Sequence, residues 1–467
     1  MLRCVRWNPR WKSGVSLLHL GRATAEDTSS FTSQVNSKRL LRFPTENVTI
    51  TPLGYGSPTM FTKESRMLDH IKDSVLVHNN NVIQTHFWYA AKDSEAVSLA
   101  YTAEPVAINE LFGDDEVSRN SIVLTAILDD KLDGPALNPL EKLSKEAVKY
   151  QLDRIRRALD IEVLDIAFLR LPAEVIESSS KAVIQETIAA LEEAIAEKQI
   201  QGYGFAFPST STTIQTETFI QNVLFADDVW RSGCVALQIP INIQEGLTFD
   251  LHQKKQVALF GELPLDIHVK VGRDVKPLNL SSVPEKLSGE EIALKLKESF
   301  SFALNVEQKY RETIHPANSA TAPSPDDIAW AHILAYQHEQ FNNFAEWVYI
   351  RETQISPRIE ETLNALNQVE GTKEFAFAYS VAIRELLRYF DASIEMIARN
   401  LNQDIQTKLQ EIGVEAETLQ EAVIHTALSS NADCIVVGED LPTRGGLMEK
   451  PKLSREIIEA VNSQEWQ

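Results

Sequence analysis

The chain has 467 residues, a net charge of −21 and 43% hydrophobic residues, enough for one large α/β barrel with additions or for roughly two to three domains. An acid excess of this size argues against nucleic acid as a partner, because phosphate neutralisation needs clustered Lys and Arg. Cys4, Cys234 and Cys434 are far apart and form no CxxC pair, which speaks against a disulfide framework or a structural zinc site. HExxH, P-loop and GxGxxG patterns are absent as well.

Residues 1–25 differ from the rest. Arg3, Arg6, Arg10, Lys12 and Arg22 alternate with apolar residues, and the first acid is Glu26. An Arg-rich, acid-free, Ser-containing N-terminus reads as a mitochondrial presequence. That places the protein in the matrix or on the matrix side of the inner membrane. Residues 26–46 are polar and Ser/Thr-rich, and read as an extended linker.

From Val48 onward, short apolar runs alternate with helical stretches. Val48 to Ile50 is strand-like and leads into the turn-rich Pro52 to Ser57. Lys63 to Val77 is helix-like and Val82-Ile83 a strand. Ser121 to Ile127 is β-rich. Ser144 to Leu159 is a helix with Ser144 as N-cap. Val163 to Leu169 is a strand, Ser180 to Lys198 a helix, and Gly202 to Phe207 a strand. Ser211 to Phe225 is helical and Cys234 to Ile239 a strand. Continuous apolar strands alternating with helices imply parallel βα units. Repeated around a closed sheet they give a (β/α)8 barrel; an open doubly wound sheet is the competing pattern.

The rhythm breaks after Leu265. Ser288 to Ile314, Asp326 to Ile350 and Lys373 to Leu409 are helical, with a Pro-containing linker or loop at His315 to Pro325. The helix Thr418 to Ser429 and the strand Cys434 to Gly438 then resume the earlier pattern. The expected organisation is a presequence (1–25), a linker (26–46), the first part of a barrel (47–287), a helical insertion (288–410) and barrel completion with a C-terminal helix and tail (411–467). No run of about 18 apolar residues suggests a transmembrane helix.

Several motifs resemble the aldo-keto reductase family in the family's order, over roughly Val48 to Leu265 and Thr418 to Leu447. They are Leu53-Gly54-Tyr55-Gly56, the segment Gln84 to Glu95, and Leu159, Asp165 and Pro172. Leu191, Glu192, Ile200 and Gly204 follow, then Gln238 and Asn242, Pro264-Leu265 and Gly438. The resemblance implies a TIM barrel, which in this chain carries the large helical insertion before the last βα unit. It also implies a tetrad in which a Tyr protonates the substrate oxygen, helped by a Lys, an Asp and a His. A free phenol titrates near 10 and needs such help at neutral pH.

Matched to that tetrad, Tyr89 is kept. Gln84 stands for the Asp, Ala126 for the Lys and Arg170 for the His. Of the cofactor positions, the Ser-Asn pair that holds the nicotinamide carboxamide matches Ala206-Phe207. Gln238 and Gly438 remain. Glu439-Asp440 face the position of the 2′-phosphate, with Arg444 as the nearby compensating charge. Tight NADPH binding is therefore not expected, and neither is a metal. His86, two residues from Gln84 on one strand, is the alternative proton donor.

The pattern points to a non-catalytic, aldo-keto-reductase-like accessory subunit of a mitochondrial assembly. By analogy, that assembly is an ATP synthase or a respiratory-chain complex. The alternatives are an NADP-dependent oxidoreductase with an atypical site and a nucleotide-sensing regulatory subunit. The insertion aromatics Trp330, Tyr336, Phe341, Phe344, Trp347 and Tyr349 read either as anchors for protein partners or as a cap on the barrel.

Overall fold

The computed structural model describes residues 19–56, 69–86, 107–113, 117–128, 143–209, 213–249, 256–271, 274–277, 288–318, 322–338, 341, 344–438 and 444–466. They form two compact units. One comprises the described residues up to Pro264 together with Ile424–Asn462; the other comprises Leu265–Val423 and the residues after Asn462.

The first unit contains strands β1 (Arg39–Arg42), β2 (Asn47–Ile50), β3 (Leu53–Tyr55), β4 (Val82–His86), β5 (Val123–Leu128), β6 (Leu164–Arg170), β7 (Ile200–Ala206), β8 (Cys234–Pro240) and β9 (Ala258–Glu262). In the second unit, β10 (His268–Val271) and β11 (Asp274–Pro277) pair as an antiparallel hairpin. Strand β12 (Cys434–Val437) returns to the first unit and closes an eight-stranded barrel in the order β12-β3-β4-β5-β6-β7-β8-β9. All neighbouring pairs in the barrel are parallel. The chain folds as a (β/α)8 barrel, and the open sheet is ruled out by the closure.

The strands are apolar along both faces because both are covered. Every residue of β5, β7, β8 and β9 is buried. Val82, Val123, Ile127, Ile166, Phe168, Ala206, Ala236, Ala258, Phe260, Cys434 and Val436 pack into one core cluster. Apart from Val235, a further member of the cluster beside the register shift between β7 and β8, these positions keep one parity along each strand and line the barrel interior. Gly204 makes room there: a Cβ on it would lie 2.6 Å from Cε1 of Phe168.

Helices Lys145–Ala158 and Lys181–Ala196 cover the outside, close to the expected ranges. Ser144 caps the first by accepting from the Ala147 amide at 3.3 Å. The expected helix at 211–225 is observed as Thr213–Phe219 continuing through Leu224. Cys234 and Cys434 are buried free thiols, and burial pushes both up, away from the reactive thiolate. Iodoacetamide labelling followed by peptide mapping should leave both unmodified in the folded chain and modify both in urea.

Two expectations about the N-terminal region are corrected. Residues 26–46 are not an extended linker: they contribute to the helix Ala25–Phe31, capped by Thr24, and to strand β1. Strands β1 and β2 form an antiparallel hairpin whose Leu41, Val48 and Ile50, with Phe43 from the turn, belong to the interior cluster. Phe43 approaches Gly202 near the start of β7, so the hairpin plugs the end where the strands begin. Polar composition concealed this because only alternate residues of a hairpin face a core.

The second correction concerns the boundary at residue 25. His19 to Ala25 form a strap built into the barrel. The Ala23 amide donates to Oδ1 of Asp165 at 2.9 Å, and Nε2 of Gln201 donates to the Ala23 carbonyl at 3.0 Å. Asp165 also accepts from Arg119 at 2.9 Å and from the Leu124 amide at 2.7 Å. Residue 25 is therefore not a boundary between leader and fold. Residues 1–18 of the expected presequence lie outside the described residues.

The second unit is helical. Its helices include Gly289–Lys309, Trp330–Gln337, Phe344–Ile350, Ser356–Gln368 and the 40-residue Lys373–Ile412. Ser288 and Glu291 form a reciprocal capping box on the first, and Gly413 at φ +106° ends the last. A short helix, His315–Asn318, lies within the expected Pro-containing loop. Trp330 and Trp347 belong to this unit's own core with Tyr310, Tyr379 and Phe390. Phe341 and Phe344 pack against that core partly buried, whereas Tyr336 is 84% exposed. The side chain of Tyr349 lies outside the described residues. Among the described residues, no helix is long and apolar enough to cross a membrane.

Candidate functional site

The C-terminal ends of barrel strands are where this architecture places reacting groups. Here the inward positions at those ends hold a continuous polar chain. Gln84 on β4 and Gln238 on β8 exchange two amide hydrogen bonds, each 2.8 Å. Nε2 of Gln238 also donates to Oε2 of Glu262, the last residue of β9, at 3.0 Å. Arg170, the last residue of β6, donates from Nη1 and Nη2 to the two oxygens of Glu262 at 2.8 and 2.9 Å. Gln84 and Gln238 are fully buried, the Glu262 side chain is 3% exposed, and that of Arg170 is 22% exposed.

Strand alternation explains the convergence. Gln84, Gln238, Glu262 and Arg170 share the parity of Val82, Ala236, Phe260 and Phe168, all residues of the interior cluster. A buried carboxylate is costly unless it is paired and hydrogen-bonded, and Glu262 has a bidentate Arg plus an amide. The chain satisfies itself. A carboxamide transfers no proton at neutral pH, a guanidinium stays protonated, and both oxygens of Glu262 are engaged. The arrangement is suited to holding four strands in place rather than to moving a proton.

The structure relocates one predicted position. Ala126 is buried but has the outward parity of β5, so it does not stand where a lysine would reach Gln84. The inward neighbour is Thr125, which lies opposite Gln84 in the β4–β5 register. Its Oγ1 is buried and has no hydrogen-bond partner among the described residues. Neither residue offers a cation. Arg170 does lie at the barrel end, where it donates to Glu262.

Tyr89 and Glu439-Asp440 lie outside the described residues. His86 is the last residue of β4 and Arg444 the first of the helix Arg444–Glu449, but neither side chain is among those described. Gly438 follows β12 and is buried. Among the described residues, no group of three or more His, Cys, Asp or Glu is arranged to hold a metal.

Glu262 is not among the residues that the sequence motifs single out. The signal was the apolar run Ala258-Leu259-Phe260-Gly261 ahead of Pro264-Leu265, which is strand β9. A charged residue closing an inward-facing register was the mark to look for.

The described residues do not fit the carboxamide end of a nicotinamide cofactor. Ala206 and Phe207 are fully buried, and neither side chain can hydrogen-bond an amide. The Phe207 ring instead packs edge-on against Phe219 at 6.2 Å. Gln238, the remaining amide, has its oxygen engaged by Gln84 and its nitrogen shared between Gln84 and Glu262.

No protein-family model matches the chain, and no curated protein matches it. Solved structures that resemble it include aldo-keto reductases. One, from Klebsiella pneumoniae in complex with NADP and acetate, is 20% identical at a TM-score of 0.35, over 49% of this chain and 69% of that one. Another, AKR11C1 from Bacillus halodurans in its holo form, is 17% identical at a TM-score of 0.35, over 74% of this chain and 96% of that one. The strand order itself, rather than this likeness, establishes the barrel.

Proposed function

We propose that this chain is a non-catalytic, aldo-keto-reductase-like subunit of a mitochondrial protein assembly, of the ATP synthase or respiratory-chain class. The observation that carries the reading is the Gln84–Gln238–Glu262–Arg170 chain, whose groups hydrogen-bond one another at the strand ends. It is supported by the basic, acid-free N-terminal sequence and by a helical unit with its own aromatic core. A barrel reductase has no need of that unit for its chemistry.

The reading predicts no turnover of an aldehyde panel with NADPH and no NADPH binding by calorimetry. It also predicts co-migration with an inner-membrane complex in native gels of mitochondria, read by mass spectrometry. Turnover would make the protein a reductase with an atypical site. NADPH binding without turnover would make it a nucleotide sensor. Migration as a free matrix monomer would remove the assembly role.

A further inference from the structure

We propose that His19 is a proton-controlled latch for the N-terminal strap, holding it to the barrel while the imidazole is neutral and releasing it on protonation. His19 is 9% exposed and forms an isolated parallel bridge with Ile161, just before β6. Its amide donates to the Asp160 carbonyl at 3.3 Å, and its carbonyl accepts from the Glu162 amide at 3.4 Å. The ring lies edge-on to Phe112 with centroids 5.4 Å apart and is hydrogen-bonded to the backbone of Asn109. Nε2 is buried and has no partner among the described residues.

A second proton would therefore place an unpaired N–H and a positive charge where neither is satisfied. A fixed cation makes it worse. The Arg119 guanidinium sits 5.8 Å from the same Phe112 ring, with its charge directed to Asp165. Asp160 is the opposing carboxylate. Burial is the main cause that holds the imidazole below its ordinary value of 6.5; Arg119 adds to it, while Asp160 and the Asn109 backbone oppose it. With the folded value depressed, strap docking is unaffected by pH above the unfolded value and weakens as pH falls below it. The other titratable anchors of the strap are Asp165 and Glu46, which accepts from Arg22 at 3.1 Å and from the Ala25 amide at 2.9 Å.

The test is amide hydrogen exchange of the peptide spanning residues 19–31, corrected for the intrinsic pH effect, at pH 7.5 and 5.5. The wild-type chain should be protected at the higher pH and lose protection at the lower. His19→Phe, which keeps a ring against Phe112 but cannot titrate, should keep its protection at both. Unchanged wild-type protection would overturn the latch, and so would equal loss in His19→Phe, which would assign the effect to Asp165 or Glu46. Should the variant fail to dock its strap, an NMR titration of wild-type His19 decides: strap opening must track the imidazole. An imidazole that titrates while the strap amides stay protected rules the proposal out.

Discussion

Arg170→Met should destabilise the barrel unit by about 2–4 kcal/mol, the cost of leaving a buried carboxylate without its cation, reduced for the partial exposure of Arg170. Glu262 would keep only the Gln238 amide as a partner at 3.0 Å. Removing both charges, as Arg170→Met with Glu262→Met, should recover most of the loss, because a buried ion pair replaced by apolar side chains is often neutral. Urea denaturation of the two single variants and the double variant reads the coupling directly. If Arg170→Met unfolds at the wild-type midpoint, the pair does not hold the barrel end, and its main support as a structural device is lost. The cycle also bears on function: a group retained to bind an anionic substrate would be missed in binding rather than in stability.

A chain beginning at Glu26 is expected to lose about 3–6 kcal/mol relative to one beginning at His19, summing several buried hydrogen bonds and an exposed ion pair. The shorter chain lacks the Ala23 amide and carbonyl contacts to Asp165 and Gln201, and the Thr24 cap of the helix Ala25–Phe31. It also lacks the Arg22 and Thr24 amide bonds to Asn120, 3.2 and 3.1 Å long. Asp165 and Arg119, now buried at 0% and 4% side-chain exposure, would meet water. Against a typical total of about 5–15 kcal/mol, that is enough to leave a marginal fold. Thermal unfolding of both chains is the measurement. Equal stability would show the strap to be dispensable and would restore residue 25 as an acceptable boundary. The expected result confines any cleavage compatible with this fold to positions before His19.

Much of the barrel was legible residue by residue. β5, β6, β7 and β8 are mostly apolar stretches of six or seven residues, buried almost throughout, and such stretches stand out because both faces of a parallel sheet are buried. The helices between them carry a clear apolar period. Strand β1, its pairing with β2, and strand β9 are not legible in the sequence, for different reasons. The hairpin shows the core only Leu41, Val48 and Ile50 and the turn residue Phe43, set among charges. Strand β9 is five residues long and contains a glycine. Ala126 was matched by adjacency to Thr125, whereas a strand sends neighbouring residues to opposite faces, so one step in register decided which faced Gln84.

The sequence by itself determined the barrel rhythm, the basic N-terminus, the separate helical block and the absence of an Asp at position 84. These are local properties of period and composition. Which polar groups meet at the barrel end was decided by tertiary structure. Gln84 and Gln238 are 154 residues apart, and Arg170 and Glu262 are 92 apart. Only closure of the sheet, which fixes the register of every strand against its neighbours, brings these four side chains to hydrogen-bonding distance. The same holds at the other end of the barrel, where Asp165 meets Ala23 across 142 residues. Hydrogen-bonding capacity is written in each residue, but which partner satisfies it depends on which strand ends the fold sets side by side.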